Sequence, residues 1–300
     1  MSTGALKLVL PATSANLGPG FDAVGLAMSL YLTVEAETAA EFSIAATGRD
    51  AALCSAIERN LIVETYREIL LAAGKPVTPL ALKLHNEIPL GMGCGSSAAA
   101  LLAGVALADQ FGDLQLGDAG IVTEASRREG HPDNVAACWH GGFTVSAMTE
   151  AGVQVATFAG NPDWRLLLAM QPVSLATKDA RALLPESYSK ADAVFNVQRA
   201  VLLVAAFAQG RLDLLAAAMQ DRLHQPYRQE ACPLLKALLS LNGERGIAGV
   251  ALSGAGPSVL LVLNDDADEE DAIRRARNFA GDGVELLSLR IAGAAVRKVE

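Results

Sequence analysis

The segment Pro89-Leu-Gly-Met-Gly-Cys-Gly-Ser-Ser97-Ala-Ala99 constrains this chain more than any other. Gly91, Gly93 and Gly95 alternate ahead of Ser96 to Gln110, an Ala/Leu-rich stretch that predicts a strong helix. Glycines in that pattern let the backbone approach a ligand closely and adopt positive φ. The first amides of the following helix lack intrahelical acceptors and carry partial positive charge, which suits a phosphate chain. Ser96 and Ser97 add hydroxyls, one able to cap the helix and the other to meet a phosphate oxygen or a cation. A tight turn with a serine cap is the plainer alternative, but it needs one glycine, not three. A Walker-type P-loop is excluded because no lysine follows the last glycine. A dinucleotide fingerprint fits badly: Ser96 stands where its third glycine belongs, and no strand-ending acid follows at the right distance.

Strand and helix signals alternate around this loop. Leu6–Leu10 reads as a strand broken at Pro11, followed by a loop to Phe21, and Ser29–Glu37 and Leu80–His85 alternate like strands. Asn60–Ala73, ending at Gly74, and Leu116–Arg128 read as helices, and Gly141–Met148 returns as a strand. After Gly160 the pattern restarts. Strands are expected at Trp164–Gln171, Gly246–Leu252, Ser258–Leu263 and Val284–Ile291. Helices are expected at Lys190–Gln209, Arg211–Leu223, Pro233–Leu241 and Asp268–Ala280. Mixed elements in both halves predict an α+β protein of two domains, residues 1–160 and 161–300.

Composition narrows the partners. With 33 acidic and 24 basic residues the net charge is −9, and no long basic block interrupts it, so nucleic acid and anionic membrane are excluded as expected partners. Hydrophobic residues at 51% permit a sizeable core. The longest apolar run, Ala98 to Ala108, is about half the ~20 residues of a membrane span. The N-terminus lacks the pattern of a signal peptide. Cys54, Cys94, Cys138 and Cys232 form no CxxC pair, and the four histidines show no HExxH spacing. A cytoplasmic protein with free thiols is expected, and a homodimer stands open as its assembly.

Three further clusters carry polar chemistry. Pro11-Ala-Thr-Ser-Ala-Asn16-Leu-Gly-Pro-Gly-Phe-Asp22 offers a carboxamide and a carboxylate, although Asn and Asp taken singly are common turn formers. Glu129-Gly-His131-Pro-Asp133-Asn134 precedes an apolar segment, where an N-cap is the plainer role for Asp133 or Asn134. Leu252-Ser-Gly254-Ala-Gly256-Pro-Ser258 joins two strands through more residues than a hairpin needs.

Together these motifs resemble the GHMP kinase superfamily: PATSANLGPGFD its first motif, PLGMGCGSSAAA its second and LSGAGPS its third, in order along nearly the whole chain. NLGPGFD with HPDN is similar to the branch that phosphorylates L-homoserine to O-phospho-L-homoserine in threonine biosynthesis, using ATP and Mg²⁺. Cys94 departs from the leucine common there. The resemblance implies an N-terminal domain like the second domain of ribosomal protein S5 and a ferredoxin-like C-terminal domain. Two rivals remain, a sibling kinase acting on a sugar or isoprenoid alcohol and a non-catalytic nucleotide-binding protein.

By that resemblance the residues Pro89, Leu90, Gly91, Met92, Gly93, Cys94, Gly95, Ser96, Ser97, Ala98 and Ala99 hold the ATP phosphates, with Ser97 near the metal. A helix carboxylate completes the metal site in this superfamily. Glu124 is the expected residue and Glu129 the alternative. Asn16, Asp22, His131 and Asp133 are expected to meet the amino-acid substrate, and Gly254 and Gly256 to close over it. The substrate carboxylate wants the planar fork of arginine, and Arg181 and Arg228 stand where the family places such groups. Asn134 occupies the place of an Asp base in other members. Asn cannot take a proton, so Asn134 is expected to orient the hydroxyl while solvent or phosphate accepts it.

Overall fold

The computed structural model describes residues 5–158, 162–171, 177–264 and 269–299. The first half runs β1 (Leu6–Ala15), β2 (Val24–Thr38), β3 (Ser43–Gly48), α1 (Ala51–Cys54), α2 (Leu61–Ala72), β4 (Leu80–Asn86), α3 (Ser96–Gly112), α4 (Gly117–Glu129), α5 (Asp133–His140), β5 (Phe143–Thr149) and β6 (Gly152–Thr157). The second runs β7 (Arg165–Met170), α6 (Thr177–Ala182), α7 (Lys190–Gln209), α8 (Leu215–Ala218), α9 (Gln225–Arg228), α10 (Pro233–Leu238), β8 (Ile247–Leu252), β9 (Val259–Leu263), α11 (Glu269–Ala280), β10 (Glu285–Arg290) and β11 (Val296–Val299).

Two sheets result. The first has seven strands along β11-β1-β2-β4-β3, with β5 and β6 attached through β2, and among the described residues only β3 and β4 pair in parallel. The second is antiparallel in the order β10-β7-β9-β8, the ferredoxin-like arrangement. The expected division at residue 160 lies outside the described residues. The final strand leaves the second half and pairs with the first, Leu6 opposite Val299.

Alternation along β7 shows how the halves share a core. Leu166, Leu168 and Met170 face one way, into the cluster built by the first sheet and α2, α3, α7 and α8. Leu167 and Ala169 face the other way, against α10 and α11. This is the two-residue period of a strand buried on both faces. An aromatic joint closes the seam: Phe207 of α7 stacks on Phe143 at 4.0 Å and meets Trp164 at 4.8 Å. α7 has the length and apolar character of a membrane span, but Leu203, Ala206 and Phe207 pack into this core.

The structure corrects several sequence expectations. β1 does not break at Pro11 but continues to Ala15. Pro11 sits at a register shift against β2 and beyond the reach of β11, so its missing N–H disrupts no regular ladder. The expected helix Arg211–Leu223 is instead a 3₁₀ turn, the short α8 and a loop. Asp221 ends it: its carboxylate accepts the backbone N–H groups of Leu223, His224 and Gln225 at 2.9, 2.9 and 2.7 Å, starting α9 afresh. The strands β3, β6 and β11 and the short helices α1, α6 and α9 were not anticipated. α5 begins at Asp133 behind Pro132, so neither Asp133 nor Asn134 is its N-cap.

Truncating the aromatic joint should weaken the seam. Phe207→Ala is expected to cost about 3–5 kcal/mol in urea denaturation. A cost under about 1 kcal/mol would show that the halves are joined by other contacts.

Candidate active site

The glycine-rich loop is held where both halves meet. On one side Thr13 of β1 donates its N–H to the Cys94 carbonyl at 3.0 Å. A Cβ at Gly95, where φ is +71°, would overlap Thr13 Oγ1. On the other side Ser253 Oγ donates to the Gly93 carbonyl at 2.8 Å. A Cβ at Gly93, φ +74°, would overlap the carbonyl of Ser253 and crowd that of Gly256. Glycine is therefore required by contact as well as by φ. Gly95 is the N-cap of α3, with no side-chain cap, so neither serine plays the capping role open to it. The amides of the first turn remain open to an anion.

Two cavities flank the loop. One, of about 130 Å³, is lined by Asn16, Phe21, Asp22, Glu129, His131, Asp133, Asn134, Arg181, Arg228 and Gly254, together with Gly91, Cys94 and Ser97 of the loop. The other, of about 530 Å³, is lined by Leu32, Leu53, Ile62, Leu84, Ile88 and Leu90. They share Gly91, Ser96 and Ser97. A polar cavity and an apolar one thus meet at the glycine-rich loop.

The polar cavity gathers nearly every residue expected of the substrate site. Arg181 pairs with Asp22 through both guanidinium nitrogens, at 2.6 and 2.9 Å. This bond outweighs burial and raises the Arg181 pKa. Arg228 is buried, 2% exposed, and among the described residues donates only to neutral acceptors: the Ala180 carbonyl at 3.2 Å, His224 Nδ1 at 3.2 Å and the Gly254 carbonyl at 3.4 Å. Burial first, then the like charge of Arg181, lowers its pKa. Both guanidinium groups face the Phe21 ring, 5.4 and 5.6 Å from its centroid.

Across the cavity, His131 Nδ1 lies 2.6 Å from Asp133 Oδ1. Burial acts to lower the His131 pKa, but the bond and charge of Asp133, with Glu129 and Asp22, outweigh it and raise the net value. Asn134 is oriented by its neighbours: Thr13 Oγ1 donates to its Oδ1 at 2.7 Å. The amide nitrogen gives one N–H to Asp133 Oδ1 at 3.4 Å and has a second to offer the cavity, so Asn134 can hold an oxygen but not accept a proton. Asn16 is engaged by the fold, accepting from the Asp22 amide at 3.0 Å and donating to the Gly254 carbonyl at 3.0 Å, and it shapes the wall.

Three expectations need correction. Glu124 is not in this cavity. It is bound by Arg127 and Arg128, at 2.8 Å each, beside a separate surface recess. Glu129, the last residue of α4, is the carboxylate that reaches Ser97, accepting from its Oγ at 2.7 Å. Its burial raises its pKa, with Ser97 and His131 acting in the opposite direction. Gly256 packs beneath the loop at Gly93 rather than lining the cavity. Within the loop, Ala98 and Ala99 turn their side chains into the core and Met92 packs against it, while Pro89 lines neither cavity. Sequence reading passed over Thr13, Phe21 and His224. The first two lie inside the first motif, so only their roles were hidden.

A glycine loop at a helix N-terminus, gripped between an S5-like sheet and a ferredoxin-like sheet, defines a GHMP kinase. The family descriptions agree: GHMP kinases N terminal domain matches residues 60–142 and GHMP kinases C terminal matches residues 203–282. Among curated relatives, the homoserine kinase of Solibacter usitatus is 49% identical over 255 residues, 85% of this chain and 84% of its own length. That of Thermus thermophilus is 40% identical over 92% of each chain. A solved structure of a putative homoserine kinase from Listeria monocytogenes superimposes with TM-score 0.76 at 29% identity, covering 98% of this chain and 100% of its own. Mevalonate kinase from L. major, at 15% identity and TM-score 0.73, shares the fold. The chain belongs to the homoserine kinase family, and it is an enzyme whose phosphoryl donor is ATP.

The loop contact can be checked directly. Gly95→Ala should lower kcat/KM for ATP by about tenfold or more, because displaced loop amides misplace the phosphates. Gly74→Ala is the control: φ there is +65° but its Cβ would meet open space. Equal activity loss in both variants would trace the effect to backbone strain instead of the Thr13 contact.

Proposed function

We propose that the protein transfers the γ-phosphoryl group of ATP to the side-chain hydroxyl of L-homoserine, yielding O-phospho-L-homoserine in threonine biosynthesis. Arg228 supports this reading most directly. It is a buried cation with no carboxylate within ion-pair distance among the described residues, and burial of an unpaired charge is costly unless an anion completes it. An amino-acid carboxylate does so, whereas a neutral sugar or alcohol leaves the penalty in place. The four free cysteines suit a reducing cytoplasm as its setting.

The substrate zwitterion enters the Arg181–Asp22 pair. Its carboxylate takes the two arginines that share Phe21, and its ammonium takes Asp22, so one exposed ion pair is exchanged for two inside the cavity. Asp133 is already engaged by His131, which leaves Asp22 as the carboxylate better able to receive the ammonium. The side-chain hydroxyl then reaches the Asn134 amide nitrogen, next to the loop. The apolar cavity takes the base of ATP, and the open amides of α3 take its phosphates.

Ser97 Oγ and the Glu129 carboxylate are the hard oxygen donors that Mg²⁺ accepts, and they stand together at the loop. When bound, the ion neutralises phosphate charge as it shifts toward the leaving group. Asn134 orients the acceptor oxygen without removing its proton, consistent with a loose transition state that asks mainly for alignment.

Glu129→Gln should lower kcat by about a hundredfold or more while leaving ATP affinity within a few fold, as followed by ADP release and by nucleotide titration. Glu124→Gln should retain near-normal turnover. The reverse outcome would return the metal to Glu124. Arg181→Ala and Arg228→Ala should each raise KM for homoserine about ten- to a hundredfold, the size of a lost charge-assisted bond, and spare the neutral homoserine amide. If both variants keep the full preference for acid over amide, the carboxylate is bound elsewhere and the substrate assignment loses its main support.

A further inference from the structure

His224 lies outside the cavity, is fully buried and touches three parts of the fold at once. Its Nε2 is 2.7 Å from the Gly18 carbonyl, in the loop after β1. Its Nδ1 is 3.2 Å from Arg228 Nη1, one turn on in α9. Its ring stacks on Phe21 with centroids 5.2 Å apart. A carbonyl only accepts and a guanidinium only donates, so the two contacts leave one solution: Nε2 carries the proton and Nδ1 offers its lone pair.

The surrounding charges agree with a neutral ring. Burial lowers the His224 pKa, as does Arg228, while Asp221, the Gly18 bond and Asp22 oppose them without reversing the shift. Asp221 is 3.7 Å from Nε2, too far for a hydrogen bond, and its oxygens are committed to the amides that start α9. Arg181, the remaining charge here, pairs with Asp22 on the far side of Phe21.

We infer that His224 is a positioning residue for substrate recognition, aiming the Arg228 guanidinium through an unprotonated Nδ1 while Nε2–H ties the ring to the loop that carries Phe21 and Asp22. A carboxylate in this place would also orient Arg228, but it would neutralise the charge that the substrate must meet. A neutral imidazole orients and leaves the charge available. The bonds to Ala180, Gly254 and His224 use Nε and Nη1, so among the described residues Nη2 has no hydrogen-bond partner. The inference rests on the reading that Arg228 binds the substrate carboxylate.

Glutamine and asparagine separate the two ring contacts. In His224→Gln the amide nitrogen reaches the Nε2 position and keeps the Gly18 bond, but the acceptor for Arg228 is lost. In His224→Asn the amide oxygen replaces Nδ1 and keeps that acceptor. The test is steady-state kinetics of both variants and of Arg228→Ala, with homoserine and with homoserine amide. His224→Gln should raise KM for homoserine by about tenfold, the effect of one bond to a charged group, with KM for the amide, KM for ATP and kcat nearly unchanged. His224→Asn should recover most of the loss. Equal effects of Gln and Asn, or a Gln effect shared by acid and amide, would reduce His224 to a structural residue and overturn the inference. Loss of the acid preference in Arg228→Ala but not in His224→Gln would overturn it alone. Retention of that preference in Arg228→Ala would overturn the carboxylate reading and this inference with it. Nitrogen-15 correlation spectra of the wild-type imidazoles near neutral pH give a reading that needs no variant: His224 should be the neutral Nε2–H tautomer, and an Nδ1–H or doubly protonated ring contradicts it.

Discussion

The site depends on a close approach of backbone to backbone. The glycine loop before α3 is pressed between Thr13 of β1 and the turn joining β8 to β9, and at Gly93 and Gly95 there is no room for a side chain. The grip fixes the loop relative to both sheets at once, because β1 belongs to the first and β8 and β9 to the second. It also separates a polar cavity from an apolar one, with the open amides of α3 between them. Donor and acceptor subsites then follow from which wall each cavity inherits. The shared core around β7 and the Phe143–Phe207 stack keep the walls from sliding.

Charge decides what the polar cavity can take. The chain carries a net charge of −9, yet its two cavity arginines converge on one phenylalanine ring. Asp22 partners one of them and none of the carboxylates among the described residues partners the other. That imbalance favours a small zwitterion over a neutral alcohol, and the role proposed for His224, orienting Arg228 without cancelling its charge, would maintain it. On the proposed reading, the arginines and Asp22 are the groups that select the acceptor.

Much of this was legible in the sequence because the chemistry is local there. Three alternating glycines leading into a helix that opens with two serines have few uses, and the three other clusters meet them in space. Glu124 lies outside the polar cavity for an instructive reason. Position along α4 suggested it, whereas Arg127 and Arg128 at i+3 and i+4 already marked it as half of a helix-surface ion pair. Glu129 reaches Ser97 because α4 ends there and Gly130 turns the chain in a left-handed conformation. β3, β6 and β11 escaped because they are short strands that expose many of their side chains. The expected helix after Arg211 failed because Asp221 competes for backbone amides, a preference that helix periodicity does not register. His224 was invisible in sequence, since its meaning lies in partners 4 and 206 residues away.

The central claim is that phosphoryl transfer goes to the side-chain oxygen of a zwitterionic amino acid. Phosphorus-31 NMR of the protein with MgATP and L-homoserine tests it most directly. A phosphomonoester resonance coupled to the side-chain methylene protons of homoserine should grow in step with ADP. ADP appearing with inorganic phosphate and no ester, or an ester forming only when mevalonate or galactose replaces homoserine, would contradict the account.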